Sequence, residues 1–498
     1  MAGRSVKATA STASDGNNAQ PVAVRLADAM RQRIAVGAWK PGKRIPPVSA
    51  LAQEYGTSVF PVSQALQRLQ REGLVTSRRG VATFVSPQLE DRRVVLHVML
   101  WPWFPEAPLD RFRTVHPEYK VLRVPYVGPG PECDRLLGSV NAPDLVAIDS
   151  GTFNYIQPGK RLSTIGETEI EQERQDSLVS VERGFHHQGR QLGVPLAIMP
   201  FLWAARRSVF DGSREALPRE DWTGDEMLDL LCRLTQDRDG DGVTDQFGYI
   251  VTPRWYTWHA LFRALGGRMD SWDAIRAPAS RRAAMRLWDA IFRHHISPPH
   301  LAGIHGRYGE VLTAAAETSR VATMLPDFAG LKNLCRRFGD DIVPLSSPRI
   351  AGGRRSSTMF CSGVGIHKHA VCREGALEMI RFLRSAEPQK EIWRKMNLLP
   401  VHLDLWGEVF PEDPNWRWLL LREIAGAIPT LYSNTPEETD AVLNLLEGLV
   451  RGRIVPAQFE RALEERRVPA EWRPVARWKS DLFNSPQATI MGSAERVG

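Results

Sequence analysis

Residues 42–85 read GKRIPPVSALAQEYGTSVFPVSQALQRLQREGLVTSRRGVATFV, and the spacing of their apolar residues predicts the architecture of the N-terminal part of the chain. Its apolar residues recur every three to four positions over 47–55 and 58–72, which is the spacing of amphipathic helices. Gly56 marks the turn between the two helices, and Ser58 is a favourable N-cap residue. The apolar positions that the second of these helices is expected to bury are Val59, Val62, Leu66 and Leu69.

The segments on either side of this stretch complete a small domain. A further amphipathic helix is expected over residues 21–36, and a β-hairpin with the basic tip Arg78-Arg79-Gly80 closes the stretch. Together these elements predict a winged helix-turn-helix over residues 21–86, in which the helix at 58–72 lies in the major groove of double-stranded DNA and the wing reaches the backbone or the minor groove. Glutamine can bind adenine edges, and serine and arginine can bind phosphates. The outward residues expected to contact DNA are Ser58, Phe60, Ser63, Gln64, Gln67, Arg68, Arg78 and Arg79.

Positive charge is concentrated in the same region. Residues 1–93 carry 14 Lys and Arg against 6 Asp and Glu, a net charge of +8, whereas the full chain has 64 and 57, a net charge of +7. A basic patch on a small domain is typical of proteins that bind a polyanion, although a merely solvated surface would carry the same charge. Only Trp39 of 15 tryptophans precedes residue 94, so the remainder of the chain is expected to have a different role.

A framework of proline, glycine and apolar residues runs through the N-terminal domain. It consists of Pro41-Gly42, Ile45-Pro46, Leu51-Ala52, Ser58, Val62, Ala65-Leu66, Leu69, Gly73-Leu74-Val75, Gly80 and Thr83-Phe84-Val85. This framework resembles the DNA-binding domain of the GntR family of bacterial transcription regulators. Ser49, Val59 and Val81 stand where that family usually has arginine, which implies a different operator or weaker DNA binding. The rival interpretation is a winged helix used for protein contacts.

The remainder of the chain alternates helix-like and strand-like segments, as an α/β fold requires. Its most informative stretches are VVLHVMLWPWF (94–104), APDLVAIDS (142–150), GVPLAIMPFLW (193–203), DWTGDEMLDLLCRLTQDRDGDGVTDQFG (221–248) and the segment from SGVGIHKH (362–369) to LLPVH (398–402). Their order and spacing resemble the extracellular solute-binding proteins of bacterial sugar ABC importers. The resemblance implies a two-lobed periplasmic-binding-protein-like α/β module with a ligand cleft between the lobes. We place this module at 94–483, with an arm at 1–20, a linker at 87–93 and a tail at 484–498.

A saccharide or a similar small solute is the ligand that this resemblance implies. The C–H faces of sugars stack on aromatic rings, and their hydroxyl groups form hydrogen bonds with carboxylates. The candidates at strand ends or in loops are Trp101, Trp103, Asp149, Trp203, Trp255, Tyr256, Trp258 and Asp327. Packing in the core is an equal alternative for any single tryptophan, whereas the cluster at 255–258 is expected to be partly exposed.

Residues 237–245 follow the DxDxDG pattern of calcium loops. The expected ligands are the oxygen atoms of Asp237, Asp239, Asp241, Val243 (by its carbonyl group) and Asp245. Gly248 stands where an EF-hand has a bidentate glutamate, so the loop is not a true EF-hand. Two alternatives stay open, a structural Ca²⁺ site and a tight Asx/Gly turn without a metal. No cofactor is expected to be required.

Several classes of protein are not favoured by the sequence. The chain has no window of about 18 apolar residues for a membrane span, and its first residues lack the apolar core of a secretory signal. The five cysteines lack CxxC spacing, and the chain contains no GxSxG, P-loop or GxGxxG motif in the context that such sites need. We therefore expect a cytoplasmic protein that is not an enzyme and does not bind a membrane.

These features predict a ligand-responsive, DNA-binding transcription regulator that senses a sugar or similar solute in the cleft. A homodimer is expected, because lobe closure would act on DNA by altering the spacing of two DNA-binding domains. The alternative is a cytoplasmic carbohydrate- or solute-binding protein whose winged helix serves dimerisation or partner binding rather than gene regulation.

Overall fold

A computed structural model of the 498-residue chain describes most of the sequence. The described residues are 22–35, 38–78, 82–86, 94–151, 153–171, 177–252, 255–298, 308–318, 320–350, 353–409, 414–429 and 436–468. The predicted arm (1–20), linker (87–93) and tail (484–498) lie outside these residues, as do Arg79 and Val81. The side chains of Arg78 and Trp255 are also outside the description.

The chain divides into two compact units. The N-terminal unit comprises Met1–Val95 with Ser139–Asn141, and the second unit comprises Leu96–Gly138 with Ala142–Gly498. The N-terminal unit contains three helices and two strands, and it ends within the following strand, Val94–Met99. The five elements are α1 (Val22–Ala35), α2 (Val48–Glu54), α3 (Val59–Arg71), β1 (Val75–Arg78) and β2 (Ala82–Val85). The order of three helices followed by an antiparallel hairpin is the one that the sequence predicts for a winged helix-turn-helix.

One apolar core holds the N-terminal unit together. In α3 the predicted inner positions Val62, Leu66 and Leu69 are confirmed as buried, and they share one core with Leu26, Met30, Leu51 and Ala52 of α1 and α2. The prediction for Val59 is wrong, because its side chain is 53% exposed. Val59 lies on the same stripe of α3 as Val62 and Leu66, but the stripe extends one turn beyond the edge of the core.

A seven-stranded mixed sheet organises the second unit, in the order β15-β8-β14-β5-β3-β4 with β16 paired to β14. Strands β3 and β5 are parallel, and β14 pairs with both β5 and β8 in the antiparallel sense. The seven strands are β3 (Val94–Met99), β4 (Tyr119–Arg123), β5 (Leu145–Asp149), β8 (Val194–Phe201), β14 (Thr358–Ile366), β15 (Leu399–Pro400) and β16 (Ile428–Pro429).

A second, three-stranded antiparallel sheet has the order β12-β9-β13, and two short ladders join β6 to β7 and β10 to β11. These strands are β6 (His186–His187), β7 (Arg190–Gln191), β9 (Trp203–Arg206), β10 (Gln246–Phe247), β11 (Arg320–Val321), β12 (Thr323–Met324) and β13 (Ile342–Leu345). Strand β9 follows β8 after one residue, so the chain passes directly from the large sheet to the small one.

Helices alternate with these strands and cover the sheets, which is the α/β architecture that the sequence predicts. They are α4 (Glu106–Val115), α5 (Pro131–Leu137), α6 (Pro158–Arg161), α7 (Val179–Glu182), α8 (Arg207–Ser213), α9 (Gly224–Arg233), α10 (Trp255–Ala264), α11 (Trp272–Arg276), α12 (Pro278–Phe292), α13 (Tyr308–Thr318), α14 (Phe328–Phe338), α15 (Arg373–Arg384), α16 (Ala386–Met396), α17 (Trp406–Val409), α18 (Pro414–Gly426), α19 (Pro436–Val450) and α20 (Pro456–Glu465). None of the described helices is long and apolar enough to cross a membrane.

A buried carboxylate fixes the alignment of β3 with β5. Asp144, directly before β5, accepts hydrogen bonds from the backbone N–H of His97 at 2.9 Å and of Val371 at 2.6 Å. Because β3 and β5 run parallel, their carboxyl ends lie side by side at one edge of the sheet. Ligands of open α/β sheets bind at such an edge, so this alignment positions the candidate site.

Candidate functional site

The outer surface of α3 carries polar side chains at the N-cap and in the middle turns, and Phe60 in the first turn. Ser58 and Gln67 are exposed, and Ser63 and Gln64 are partly buried. Ser58 is the N-cap residue, as predicted, but its hydroxyl group makes no capping hydrogen bond. Phe60 is 69% exposed. These five residues therefore lie at the surface of the predicted DNA-reading helix.

Arg68 does not lie on that surface, which corrects the prediction that it faces outward. Its side chain is only 5% exposed, and its Nε atom lies 3.5 Å from Oε1 of Glu72. Glu72 also accepts hydrogen bonds from Arg31 of α1, at 2.9 Å and 2.7 Å. The physical reason is position on the helix, since Arg68 precedes Glu72 by one turn on the side that faces α1.

The predicted wing is the β1–β2 hairpin, and a third backbone segment pairs with it. Arg78 pairs with Ala82 at the tip of the hairpin. The N–H of Ile45 donates to the carbonyl oxygen of Thr83 at 2.8 Å, and Arg44 forms a β-bridge with Phe84. This pairing places the exposed side chains of Lys43 and Arg44 on a segment beside the wing. These two basic residues were not among the predicted DNA contacts, because the pairing of residues 42–45 with β2 has no local sequence signal.

Three of the predicted ligand-binding residues meet at the carboxyl ends of β3 and β5. The rings of Trp101 and Trp103 stack with centroids 4.9 Å apart and planes inclined by 14°. The indole N–H of Trp101 donates to Oδ2 of Asp149 at 2.9 Å, and the hydroxyl of Ser362 donates to Oδ1 at 2.7 Å. Trp101 is buried and Trp103 is only partly so. Trp101 therefore supports the more accessible ring and orients the carboxylate.

The carboxyl group of Asp149 is electrostatically unusual. Burial raises its pKa to about 6, against the opposing effect of the two hydrogen bonds from Trp101 and Ser362. Tyr126 lies close enough for the Asp149 charge to add to the effect of burial, and both hold the pKa of the Tyr126 phenol well above its usual range. Tyr126 also lines a small, water-sized cavity of about 10 Å³ with Ile148 and Phe153. Tyr126 follows β4 and was not among the predicted site residues, because no sequence motif marks it.

A second aromatic group, which contains Tyr256, lies next to the end of β5. The Tyr256 ring is 4.6 Å from that of Phe201 and 6.0 Å from that of Phe360, between centroids. Phe360 packs on Gly151, where an added Cβ would be 3.0 Å from the ring. Gly151 follows Asp149 by two residues, so the structure brings Tyr256 into the same region as the stacked tryptophans.

Asp327 joins this region through the backbone and acts there as a helix cap. It forms a β-bridge with Phe201, and its Oδ1 atom accepts a hydrogen bond from the N–H of Gly330 at 2.6 Å, at the start of α14. Burial raises the pKa of the Asp327 carboxyl, and the Gly330 hydrogen bond opposes that rise. The Asp327 carboxylate therefore has a structural role as the N-cap of α14.

Trp203 and Trp258 lie in the core, where a ligand in an open cleft cannot reach them. Trp203 is 0% exposed, with its ring centroid 5.1 Å from Tyr249 and 5.8 Å from Trp222. Trp258 is 1% exposed within the core of the second unit. The prediction that Trp203 and Trp258 line the ligand site is therefore wrong, because both side chains pack in the core. The side chain of Trp255 is outside the described residues.

The acidic loop between α9 and β10 brings three of its carboxylates together. Asp237, Asp239 and Asp241 are exposed, and one oxygen atom of each lies within 4.8 Å of the others. The Asp237 carboxylate accepts hydrogen bonds from the N–H groups of Gly240 and Gly242, at 2.7 Å and 2.8 Å. These amide donors, that of Gly242 first, lower the pKa of Asp237. Elsewhere in the loop, Asp245 accepts from the N–H of Arg238 at 3.0 Å, and the N–H of Val243 donates to Asp241 at 2.8 Å.

This geometry is compatible with both of the alternatives that the sequence leaves open. Oxygen ligands in a compact exposed loop suit Ca²⁺, whereas the hydrogen bonds already close the loop as a set of Asx turns. Gly240 and Gly242 have φ values of +78° and +88°, which a residue with a side chain rarely adopts. The calcium site therefore stays a prediction.

Comparison with known proteins gives two separate sets of matches. Residues 22–85 match the family model described as "Bacterial regulatory proteins, gntR family". The mannosyl-D-glycerate transport/metabolism system repressor MngR of Escherichia coli strain K12 is 33% identical over 105 residues, which are 21% of this chain and 42% of that protein. The histidine utilization repressor of Pseudomonas putida is 35% identical over 71 residues, 14% of this chain and 29% of that protein. The chain thus spans less than half the length of these relatives.

The second set consists of solved structures of solute-binding proteins. The ABC substrate-binding protein Lmo0181 of Listeria monocytogenes, in complex with cycloalternan, aligns with a TM-score of 0.57 at 15% identity, over 75% of this chain and 97% of the other. Maltose-bound MalE3 of T. maritima aligns with a TM-score of 0.57 at 15% identity, over 75% and 98%. Residues 22–85 are therefore a helix-turn-helix domain of the GntR family, and the aligned 75% of the chain has the fold of the maltose-binding type of ABC solute-binding protein.

Proposed function

We propose that this protein is a transcription regulator that binds double-stranded DNA through residues 22–85 and senses a small solute, most simply a saccharide, in its second unit. The observation that carries the proposal is the presence, in one chain, of a GntR-family DNA-binding domain and a sugar-binding-protein fold. Neither part alone would imply both DNA and a small ligand. We further propose that the protein acts in the cytoplasm, where it can reach DNA, and does not transform its ligand.

The DNA-binding half of the proposal is supported by the surface of the N-terminal unit. Helix α3 would enter the major groove, as recognition helices of this class do. Gln64 and Gln67 carry amide groups that can bind adenine edges. Lys43 and Arg44 beside the wing would bind phosphates, which makes the affinity depend steeply on salt.

The ligand-binding half is supported by the carboxyl edge of the large sheet. Trp103 and Tyr256 offer ring faces, and Asp149 offers a carboxylate held in place by two donors. Such a set can stack on the C–H faces of a sugar ring and accept hydrogen bonds from its hydroxyl groups. The solved relatives bound to cycloalternan and maltose make a saccharide the first class of ligand to test.

The proposed mechanism is thermodynamic linkage in a homodimer. A solute that binds the closed form of the cleft more tightly shifts the protein toward that form, by no more than the difference in affinity between forms. If the closed form holds two DNA-binding domains at a different spacing, the affinity for a two-fold symmetric operator changes by the same factor.

The test is selection of genomic DNA fragments by the purified full-length protein, with and without a panel of saccharides. We expect enrichment of a two-fold symmetric site, changed by at least one saccharide that is recovered chemically intact. The variant K43E/R44E should lose the enrichment of DNA but should still bind the saccharide. If the unaltered protein enriches no site at low salt, the proposal of a transcription regulator is overturned. A winged helix that binds another protein would then be favoured.

A further inference from the structure

The first turn of α3 exposes two large apolar side chains. Val59 is 53% exposed and Phe60 is 69% exposed, although the rest of the apolar stripe on this helix is buried. They directly follow the N-cap residue Ser58. In helix-turn-helix proteins, the N-terminal residues of the recognition helix are those that contact base edges. These two side chains therefore stand where the bases are read.

Neither side chain can donate or accept a hydrogen bond. The major-groove edges of adenine, guanine and cytosine present hydrogen-bonding groups, and thymine adds an apolar C5-methyl group. Pro61 follows in the same turn and lacks a backbone N–H, so this turn has few polar groups to offer. The thymine methyl group is the feature of a base edge that fits this surface.

Phe60 lies at the start of a polar stripe on the same helix. Gln64 and Gln67 follow Phe60 by four and seven residues, so the three side chains lie on one face of α3. Glutamine is suited to the N6 and N7 atoms of adenine. One face of the helix thus carries groups that fit thymine methyls, followed by groups that fit adenine edges.

We propose that Val59 and Phe60 read thymine methyl groups, so that each half of the operator requires A·T pairs under the first turn of α3. This inference rests on the proposed function, because it assumes a specific operator. DNA is favoured over an apolar protein surface because residues 1–93 carry a net charge of +8, with Lys43 and Arg44 exposed near the wing.

The test replaces thymine by deoxyuridine, one position at a time, in the operator obtained from the genomic selection. This change removes the methyl group and leaves every hydrogen-bonding group of the base pair. We expect one or two positions per half-site at which the affinity falls about fourfold, the worth of one buried methyl group. The F60A variant should bind the two operators, with thymine or with deoxyuridine at the position that Phe60 contacts, with equal affinity.

The matched control is V22A, which removes another exposed apolar side chain, on α1 of the same unit. This variant should keep the discrimination between thymine and deoxyuridine. Circular dichroism should show that F60A is folded, because its side chain is not part of the core. If every deoxyuridine operator binds as tightly as the original operator, and binding stays specific, this inference is overturned. The proposal of a transcription regulator would not be affected. Absence of specific binding to any DNA would overturn both.

Discussion

The ionisation of Asp149 is expected to make the stability of the second unit depend on pH. Burial raises its pKa to about 6, whereas a carboxyl group in an unfolded chain titrates near pH 4. The folded protein therefore holds the proton more tightly, and the stability that this proton contributes is present at low pH and lost as the pH rises through 6. From pH 5 to pH 7 the loss amounts to about 1 kcal/mol.

We therefore predict that D149N becomes more stable relative to the unaltered protein as the pH rises from 5 to 7. The measurement is urea unfolding followed by tryptophan fluorescence, which reports mainly on the second unit because only Trp39 of 15 tryptophans precedes residue 94. The control is D229N, which changes an exposed carboxylate on α9. Parallel pH profiles for D149N and the unaltered protein would contradict the prediction.

At the level of single residues, the sequence predicts some positions of the candidate site and misses others. Trp101, Trp103 and Asp149 were predicted as candidates and do meet in space, because parallel strands bring their carboxyl ends together. Trp203 was also a candidate, but it lies in the core, since composition alone cannot distinguish a buried ring from a ligand platform. Arg68 was expected at the surface, but it pairs with Glu72 on the face of α3 toward α1.

In the acidic loop at 237–245, one carboxylate accepts hydrogen bonds from two backbone amides. Asp237 accepts the N–H groups of Gly240 and Gly242. We predict that D237A, measured in a chelator, speeds hydrogen exchange of these two amides about five- to tenfold, as expected for the loss of one hydrogen bond each. D229A, nearby on α9, should leave both amides unchanged. Equal exchange in D237A and the unaltered protein would show that the loop does not depend on this carboxylate.

Adding Ca²⁺ to the unaltered protein in the same experiment tests the two alternatives for this loop. Slower exchange of the Gly240 and Gly242 amides, absent in D237A, would favour a bound cation. Exchange that Ca²⁺ leaves unchanged would favour the metal-free turn, which the hydrogen bonds of the loop already support.

Elements with a clear periodic pattern are the ones that the sequence predicts best. Helices α1 to α3 and the hairpin follow from apolar spacing and turn residues, and the start of α9 is marked by a reciprocal capping box between Thr223 and Glu226. Pairing between distant segments is harder to foresee. The contact of residues 42–45 with β2 and the position of β14 between β5 and β8 depend on tertiary packing and leave no local signal.

For the whole molecule, the central prediction is that saccharide and operator influence each other's binding to the same extent. A ligand at about 100 times its Kd should stabilise the second unit by about 2.7 kcal/mol, detectable as a rise in Tm. W103A should lose most of that rise, because it removes the more accessible ring of the stacked pair. The matched control is W418A, an exposed tryptophan on α18.

The reciprocal measurement uses operator affinity. A saccharide that changes the affinity for DNA by a given factor must have its own affinity changed by that factor when DNA is bound. Equal saccharide affinity with and without operator, in a protein whose Tm rises with the saccharide, would show that the two functions are not coupled.

The position of β14 also has a consequence for synthesis of the chain on the ribosome. The N-terminal unit needs little beyond β2, so it can fold soon after residue 95 has left the exit tunnel. The large sheet cannot close until β14 emerges, because that strand separates β5 from β8. At 5–20 residues per second, the N-terminal domain is complete about 15–60 s earlier. During this interval β5 and β8 have no strand between them, so each exposes an unpaired edge that a chaperone could shield.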